Sequence, residues 1–266
     1  MRFENTNTYN FEGSLHGMRN PMNSWDKSDS FFGIVDLYDG NTMNDMAEKW
    51  GDEENSYQWL KTNGVLRASD AYDGLFEVAF IGPADMKLAQ SLVLAGAEHA
   101  KFLRQIFVSV DITAPLYWWK EFDTYKVGTV ANSTSTMHKL SAQPITKEMF
   151  DFNNPDLLID RYTVPHGDEC EIVFSDYTDD IVDMCENLRL KFIETGDAAY
   201  WKALIQILPN AYLQTRTVTM SYANLRNIYF QRQHHKLTEW HEFCDWIQTL
   251  PYSKELITLG GNDETH

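Results

Sequence analysis

The sequence predicts an α+β domain, and three observations carry that prediction. Several segments have the apolar spacing of helices, while at least one alternates apolar and polar residues as a half-buried strand does. The chain has 266 residues, 43% of them hydrophobic, which is enough for a sizeable core. It has no internal repeat and no low-complexity linker, so a single domain spanning residues 1–266 is the simplest organisation.

Six segments have the apolar spacing of helices. They are 41–61, 83–106, the turn opened by Pro115, 178–194, 198–207 and a mostly helical 217–250 that ends at Pro251. Pro83 suits the first turn of the second of these helices, and Gly96 interrupts it.

Strands are predicted where apolar and polar residues alternate. In the segment IFVSVDITAP, Val108, Val110 and Ile112 alternate with Phe107, Ser109 and Asp111, as in a half-buried strand. A further strand is predicted at 31–39. Residues 1–30 are polar and rich in turn residues, so residues 1–40 are interpreted as an N-terminal extension. The segment 152–171 is predicted to be a loop.

The net charge of −17 excludes a protein that coats nucleic acid, because that function needs an excess of Lys and Arg over phosphate. A small phosphorylated ligand stays possible, since a few arginines can focus positive charge in one cleft. The N-terminus does not resemble a signal peptide, and no apolar run reaches the roughly 18 residues of a membrane helix. We therefore expect a soluble, cytoplasmic protein without nucleic-acid or membrane partners.

Metal and covalent chemistry find little support in the residue spacing. Cys170, Cys185 and Cys244 form no C-x-x-C pair, which is typical of a reducing cytosol rather than of a disulfide framework or zinc site. His234 and His241 lie seven residues apart, about two helical turns, too far for two ligands of one ion on a straight helix. The G-x-S-x-G and G-x-x-x-x-G-K-[ST] motifs are absent. We expect no metal.

Two segments have the chemistry of an oxygen-rich or anionic ligand site. Residues 129–136 of TVANSTST are mostly hydroxyl or amide residues, which form either a solvated loop or the lining of a ligand site. The segment NLRNIYFQRQHH carries Arg226, Arg232 and His235, and the planar fork of arginine suits phosphate. Composition alone favours salt bridges to the many acids. Arg19 is a weaker candidate for an anion contact.

Three blocks resemble the flavin-dependent thymidylate synthases, most closely a divergent, phage-like branch of that family. The first is LAQSLVLAGAEHAKFLRQIFVSVDITAP, similar to the family's helix and the strand that ends in Ala-Pro. In the second, an ungapped count from Pro115 aligns Thr124, Tyr125 and Lys126 with the family's R-H-R and Thr129 with the first serine of its motif. The third is LPNAYLQTRTVTMSYANLRNIYFQRQHHKLTEWHEFCDWI, similar to the family's Leu-Pro, Asn-x-Arg and closing helix. The family regions are taken as 83–140 and 198–250.

The resemblance implies an α+β fold with long helices and a central antiparallel sheet. It also implies a homotetramer with FAD at subunit interfaces, which methylates dUMP reductively to dTMP with methylenetetrahydrofolate as carbon donor and NADPH as reductant. Bound flavin carries the electron chemistry, so the protein mainly orients its ligands. No cysteine nucleophile is needed.

The same resemblance implies roles for individual side chains. Arg226 and Arg232 would hold the nucleotide phosphate, with His235 as an alternative to Arg232, while Thr134 and Ser135 would bond phosphate or uracil oxygens. The implied catalytic residues are Ser135, Thr134 and Arg226; the substrate-binding residues are Asn132, Ser133, Arg226, Arg232 and His235; the cofactor-binding residues are Tyr125, Lys126, His99 and Thr124. Trp118, Trp119 and Trp240 are predicted to be core or interface residues rather than flavin-stacking ones.

Departures from the family motif leave two alternatives open. Only Lys126 keeps a positive charge at the R-H-R position, and Asn132 and Ser135 keep the family's N-x-x-S spacing only with one residue inserted after Thr129. The altered motif is compatible with a related modification of a pyrimidine deoxynucleotide, for example hydroxymethylation of dUMP. It is also compatible with a non-catalytic nucleotide-binding homologue.

Overall fold

The computed structural model describes residues 1–36, 64–68, 75–152, 155–166 and 169–260. Its α-helices are α1 (Phe11–Arg19), α2 (Pro83–Leu94), α3 (Leu116–Phe122), α4 (Thr136–Lys139), α5 (Tyr177–Thr195), α6 (Ala198–Ile207), α7 (Tyr222–Arg232) and α8 (Thr238–Gln248), followed by a π-helix at Ser253–Ile257. Its strands are β1 (Arg2–Tyr9), β2 (Phe31–Asp36), β3 (Gly64–Ala68), β4 (Leu75–Phe80), β5 (Phe107–Pro115), β6 (Val130–Ser133), β7 (Ile159–His166), β8 (Glu169–Asp176) and β9 (Leu213–Ser221). The α+β class is confirmed.

The strands form three sheets. The largest has the order β1-β5-β9-β6, so β6 lies at its edge. A three-stranded antiparallel sheet has the order β2-β4-β3, with Val78 opposite both Gly33 and Leu66. Strands β7 and β8 form an antiparallel hairpin in which Ile159 pairs with Asp176.

The chain divides into two compact units. Unit 1 comprises Met1–Glu4, Asp111–Lys126 and Ala131–Val218, and unit 2 comprises Asn5–Val110, Val127–Val130 and Thr219–His266. The single domain predicted from the sequence remains a prediction.

In unit 1, helices α5 and α6 enclose an apolar core. Val182, Cys185 and Arg189 are buried at the helical spacing i, i+3, i+7, so one face of α5 points inward. Helix α5 begins at the Asp176 cap, whose carboxylate accepts the Thr178 N–H at 2.9 Å. The buried cluster consists of Leu140, Ile145, Phe150, Val182, Cys185 and Leu204.

In unit 2, the core is built by the inward faces of four helices and stabilised by one buried ion pair. The inward residues include Phe11, Leu15 and Met18 of α1, Val93 of α2, Tyr222, Leu225 and Ile228 of α7, and Trp240, Phe243 and Ile247 of α8. Nε of Arg19 lies 2.5 Å from Oδ1 of Asp85, whose side chain is fully buried. The hydroxyls of Ser28 and Ser30 donate to the other Asp85 oxygen. The anion expected for Arg19 is therefore a carboxylate of the chain itself.

Most predicted elements are confirmed. Helices occupy α2, α3, α5 and α6, and α2 ends before Gly96, whose φ of +104° is incompatible with a continuing helix. Strand β2 confirms the strand predicted at 31–39 over its first six residues, and β5 alternates as expected, with Val108 and Val110 buried. Trp118, Trp119 and Trp240 are fully buried, as expected of core residues. The helix predicted at 41–61 lies outside the described residues.

Two predictions are wrong, and a third is right only in part. Residues 1–30 were predicted to be turns but contain β1 and α1, and Phe11, Leu15 and Met18 of α1 form a short inward stripe within this polar segment. The interpretation of residues 1–40 as an N-terminal extension stays a prediction. The predicted loop 152–171 contains β7 and part of β8, because the β-branched and aromatic residues there pair with the next strand although Pro165 and charged residues interrupt the pattern. The segment 217–250 is mostly helical as predicted, in α7 and α8, but its first residues belong to β9, where Thr217, Val218 and Thr219 favour a strand. Within the described ranges, no helix is long and apolar enough to cross a bilayer.

Candidate functional site

The hydroxyl-rich segment forms the edge strand β6 over Val130–Ser133, and Thr134, just beyond it, is also hydrogen-bonded to β9. The Thr134 N–H donates to the Thr215 carbonyl at 2.9 Å, and the Gln214 side-chain amide donates to the Thr134 carbonyl at 2.9 Å. Asn132, Ser133 and Thr134 are exposed, and Ser135 is partly exposed. The backbone is therefore held while most of the polar side chains remain accessible.

The predicted flavin-binding residues Thr124, Tyr125 and Lys126 form the turn after α3. The Thr124 hydroxyl donates to the Glu121 carbonyl at 2.7 Å, and the Tyr125 N–H donates to the Phe122 carbonyl at 2.9 Å. The Tyr125 ring packs at 6.4 Å from the Phe122 ring. Lys126 is exposed, and its ammonium has no hydrogen bond or ion pair with any described residue. The turn thus offers one accessible cation and one half-buried ring.

Arg216 of β9, which the sequence did not single out, lies within the same unit. Its Nη1 donates to Oδ1 of Asp123 at 2.8 Å and its Nε donates to Oε1 of Gln214 at 3.0 Å. The guanidinium carbon lies 4.3 Å from the centre of the buried Trp119 ring. Arg216 stands among threonines in an alternating strand, but its partner Asp123 is 93 residues away, so the pattern alone did not reveal the contact.

Arg226, predicted to hold phosphate, has an unusual environment in unit 2. Its Nη1 donates to the carbonyls of Ile257 and Leu259, each at 2.7 Å. The guanidinium carbon lies 4.7 Å from the Phe230 ring centre, and partial burial lowers the pKa of Arg226 by desolvation. Among the described residues, none offers Arg226 a carboxylate.

Arg232 and His235, the other predicted phosphate ligands, share one aromatic partner. The Arg232 guanidinium lies 4.7 Å from the Trp240 ring centre, and the His235 ring meets the same indole edge-on at 6.2 Å. Nδ1 of His235 accepts the Leu237 N–H at 3.2 Å. Arg232 and His235 therefore pack on the same indole, and one His235 nitrogen is engaged locally.

Other residues of the family blocks have structural partners. The Asn224 side-chain amide donates to the Val127 carbonyl at 2.6 Å. Its oxygen accepts the Ser221 N–H at 3.3 Å and the Ser221 hydroxyl oxygen accepts the Asn224 N–H at 3.3 Å, which forms the capping box of α7. Gly128, in the turn held by Asn224, has a φ of +75°. His99 is exposed in the turn after α2, where its N–H donates to the Gly96 carbonyl at 3.0 Å.

Metal-binding groups do not cluster within the described residues: no three His, Cys, Asp or Glu side chains are placed to hold an ion. Cys185 and Cys244 are buried free thiols, and burial raises the pKa of Cys244 to about 12. A thiol with such a pKa is a poor nucleophile.

Comparison with known proteins gives distant structural matches only. No protein-family model matches the chain, and no curated protein matches it significantly. A flavin-dependent thymidylate synthase ThyX from Helicobacter pylori, solved with FAD and dUMP, is 15% identical with a TM-score of 0.47, over 86% of this chain and 97% of that one. A second structure of the Helicobacter pylori protein is 14% identical with a TM-score of 0.48, over 89% and 100%. The UMP/dUMP methylase PolB from Streptomyces cacaoi, bound to 5-Br dUMP, is 14% identical with a TM-score of 0.46, over 88% and 97%.

Proposed function

We propose that the protein is a flavin-dependent enzyme that methylates dUMP to dTMP, with methylenetetrahydrofolate as carbon donor and NADPH as reductant. The proposal starts from the three sequence blocks and depends on one structural observation. That observation is the environment of Arg226.

Arg226 is a partly buried cation whose hydrogen bonds go to neutral acceptors only, within the described part of the chain. In a chain with 39 acidic and 22 basic residues, chance would favour a carboxylate partner. Withdrawing a charge from water without a counter-charge is costly, so such a site favours an anionic ligand. The carbonyls occupy Nη1, which leaves Nη2 and Nε as the donors for a phosphate.

The proposed FAD contacts fit the side chains of the turn after α3. The accessible ammonium of Lys126 suits the pyrophosphate of a dinucleotide, and the half-buried Tyr125 ring offers an apolar surface. Thr124 and His99 are further proposed contacts. Bound FAD, once reduced by NADPH, would carry the electrons for reduction of the one-carbon unit.

The remaining proposed residues orient the nucleotide. Asn132, Ser133, Thr134 and Ser135 would donate to oxygens of the phosphate or uracil, and Arg232 or His235 would add a second cationic contact. Because the Thr134 backbone is already hydrogen-bonded to Thr215 and Gln214 of β9, less conformational freedom is lost when its neighbours bind a ligand. We propose a homotetramer as the active assembly, which ultracentrifugation of the FAD-loaded protein tests.

The decisive experiment is an assay of the purified protein with FAD, NADPH, dUMP and labelled methylenetetrahydrofolate. We expect a flavin absorption spectrum and labelled dTMP. A product heavier than dTMP by one oxygen would instead identify a hydroxymethylating enzyme, an alternative motivated by the replacement of R-H-R with Thr124, Tyr125 and Lys126. Protein that binds dUMP but neither contains nor takes up FAD would be a non-catalytic nucleotide-binding homologue.

A further inference from the structure

We propose that Arg216 is a positioning residue that joins the flavin-binding turn, Thr124–Lys126, to the nucleotide-binding segment, Asn132–Ser135. The roles of these two segments rest on the proposed function. The link itself is a chain of contacts within unit 1 that involves no ligand.

The first arm of this link runs from Arg216 to the turn. Nη1 of Arg216 donates to Asp123 at 2.8 Å, and Asp123 directly precedes Thr124. The Asp123 N–H also donates to the Trp119 carbonyl at 2.9 Å, which ends α3. The bond from Arg216 to the Asp123 carboxylate therefore fixes the residue at which α3 ends and the turn begins.

The second arm runs from Arg216 to the hydroxyl-rich segment. Nε of Arg216 donates to the Gln214 side-chain oxygen at 3.0 Å, and the amide nitrogen of the same side chain donates to the Thr134 carbonyl at 2.9 Å. Gln214 is buried, and its backbone carbonyl accepts the indole N–H of Trp119 at 2.9 Å. A displaced guanidinium would therefore free the Gln214 amide to turn away from Thr134.

Arginine suits this position for a geometric reason. Its planar group donates in two directions while its face packs on the Trp119 ring. A lysine offers a single ammonium that can reach Asp123 but cannot also reproduce the Nε bond and the stacked face.

The exposure of Asp123 argues that orientation, more than stability, is what Arg216 contributes. Asp123 is 47% exposed, whereas the Arg216 side chain is 15% exposed. Ion pairs with one partner this accessible contribute little to folding because water competes for the charge. The arrangement nevertheless fixes two segments that the proposed function assigns to different ligands.

The two arms can be cut separately. Asp123→Ala removes the turn arm, and Gln214→Glu removes the donor to Thr134 while keeping an acceptor for Arg216. We expect Asp123→Ala to weaken FAD binding about tenfold, as for the loss of one charge-assisted hydrogen bond, with dUMP binding nearly unchanged. Gln214→Glu should weaken dUMP binding about tenfold with FAD binding nearly unchanged, because a carboxylate cannot donate to the Thr134 carbonyl. Arg216→Met should weaken the binding of both FAD and dUMP. Arg216→Lys should bind FAD as tightly as the unmutated protein but should still bind dUMP more weakly. Flavin fluorescence and calorimetry measure the two affinities.

Hydrogen exchange of the ligand-free protein tests the link without assuming the function. Arg216→Met should speed exchange of both the Tyr125 and Thr134 amides, while each single-arm variant should speed only its own amide. Unchanged protection at both amides in Arg216→Met would overturn the proposal, and so would unchanged affinities for FAD and dUMP. If the unmutated protein bound neither ligand, the proposed function and the ligand roles would fall, and exchange would still decide whether Arg216 joins the segments.

Discussion

Arg19 and Arg226 lie on two helices of unit 2, and both guanidinium groups are withdrawn from water, yet their partners differ. Arg19 pairs with the fully buried carboxylate of Asp85 at 2.5 Å. Arg226 donates to the carbonyls of Ile257 and Leu259. The charge of Arg19 is therefore neutralised by a carboxylate of the chain, whereas the charge of Arg226 is stabilised by the dipoles of two backbone carbonyls. The contrast separates an arginine that stabilises the fold from one suited to an external anion.

The largest effect expected from this contrast is a loss of folding stability when the buried ion pair of Arg19 and Asp85 is broken. Asp85→Ala would leave Arg19 buried without a counter-charge and the Ser28 and Ser30 hydroxyls without an acceptor. We expect the free energy of unfolding to fall by about 3–5 kcal/mol, measured by urea denaturation. Asp29→Ala is the control, because it removes the carboxylate that accepts the Ala84 and Asp85 N–H groups at the start of α2 but keeps the buried ion pair, and it should cost about 1 kcal/mol. Equal losses for the two variants would contradict the comparison.

The next largest effect is on the affinity for dUMP when Arg226 is removed. Arg226→Ala should weaken dUMP binding by about 1.5–3 kcal/mol, because a phosphate loses its charge-assisted partner. Calorimetry measures this loss. Tyr222→Phe is a matched control: the Tyr222 hydroxyl donates to the Pro251 carbonyl at 2.5 Å, so that variant loosens the same C-terminal segment but keeps the cation. Unchanged dUMP affinity in Arg226→Ala, or an equal loss in Tyr222→Phe, would remove Arg226 from the phosphate site.

The smallest effect is pH-dependent and concerns a second acid-paired arginine, in unit 1. Arg189 donates to both oxygens of Glu186, at 2.7 and 2.6 Å, and these bonds are the main cause of the lowered pKa of Glu186. A carboxyl whose pKa falls on folding stabilises the protein above its unfolded pKa, and this stabilisation is lost as the pH falls through the folded pKa. Glu186→Gln should therefore cost about 1 kcal/mol at pH 7.

The difference in stability between the Glu186→Gln and unmutated proteins should narrow as the pH falls below the ordinary glutamate pKa of about 4.3, and it should vanish once the pH passes the lowered folded pKa of Glu186. Thermal unfolding across pH 3–7 measures it. The exposed pair of Lys191 and Glu194 supplies the control, since Glu194→Gln should change little at any pH. If the difference in stability between the Glu186→Gln and unmutated proteins stayed constant from pH 3 to 7, the charge of Glu186 would not be what stabilises the fold.

The spacing of apolar residues along the sequence predicted those helices and strands in which buried positions recur at a regular interval. Helix α5 buries Val182 and Cys185 at helical spacing, and β5 buries alternate residues, so both were predictable. The hairpin of β7 and β8 was missed because its stability comes from pairing between strands, which a one-dimensional pattern with Pro165 in it hides. The end of β9, from Thr217, was taken for helix because it runs directly into α7.

For the candidate site, the sequence by itself determined which side chains can contact an anion and that Arg232 and His235 lie close together on one short segment. Only the tertiary structure decided that Arg19 is neutralised, that Arg226 has carbonyl partners more than thirty residues away, and that Arg216 meets Asp123. The physical reason is that residue type sets the charge and hydrogen-bonding capacity of a group. Whether that capacity is used up inside the protein depends on partners brought near by folding.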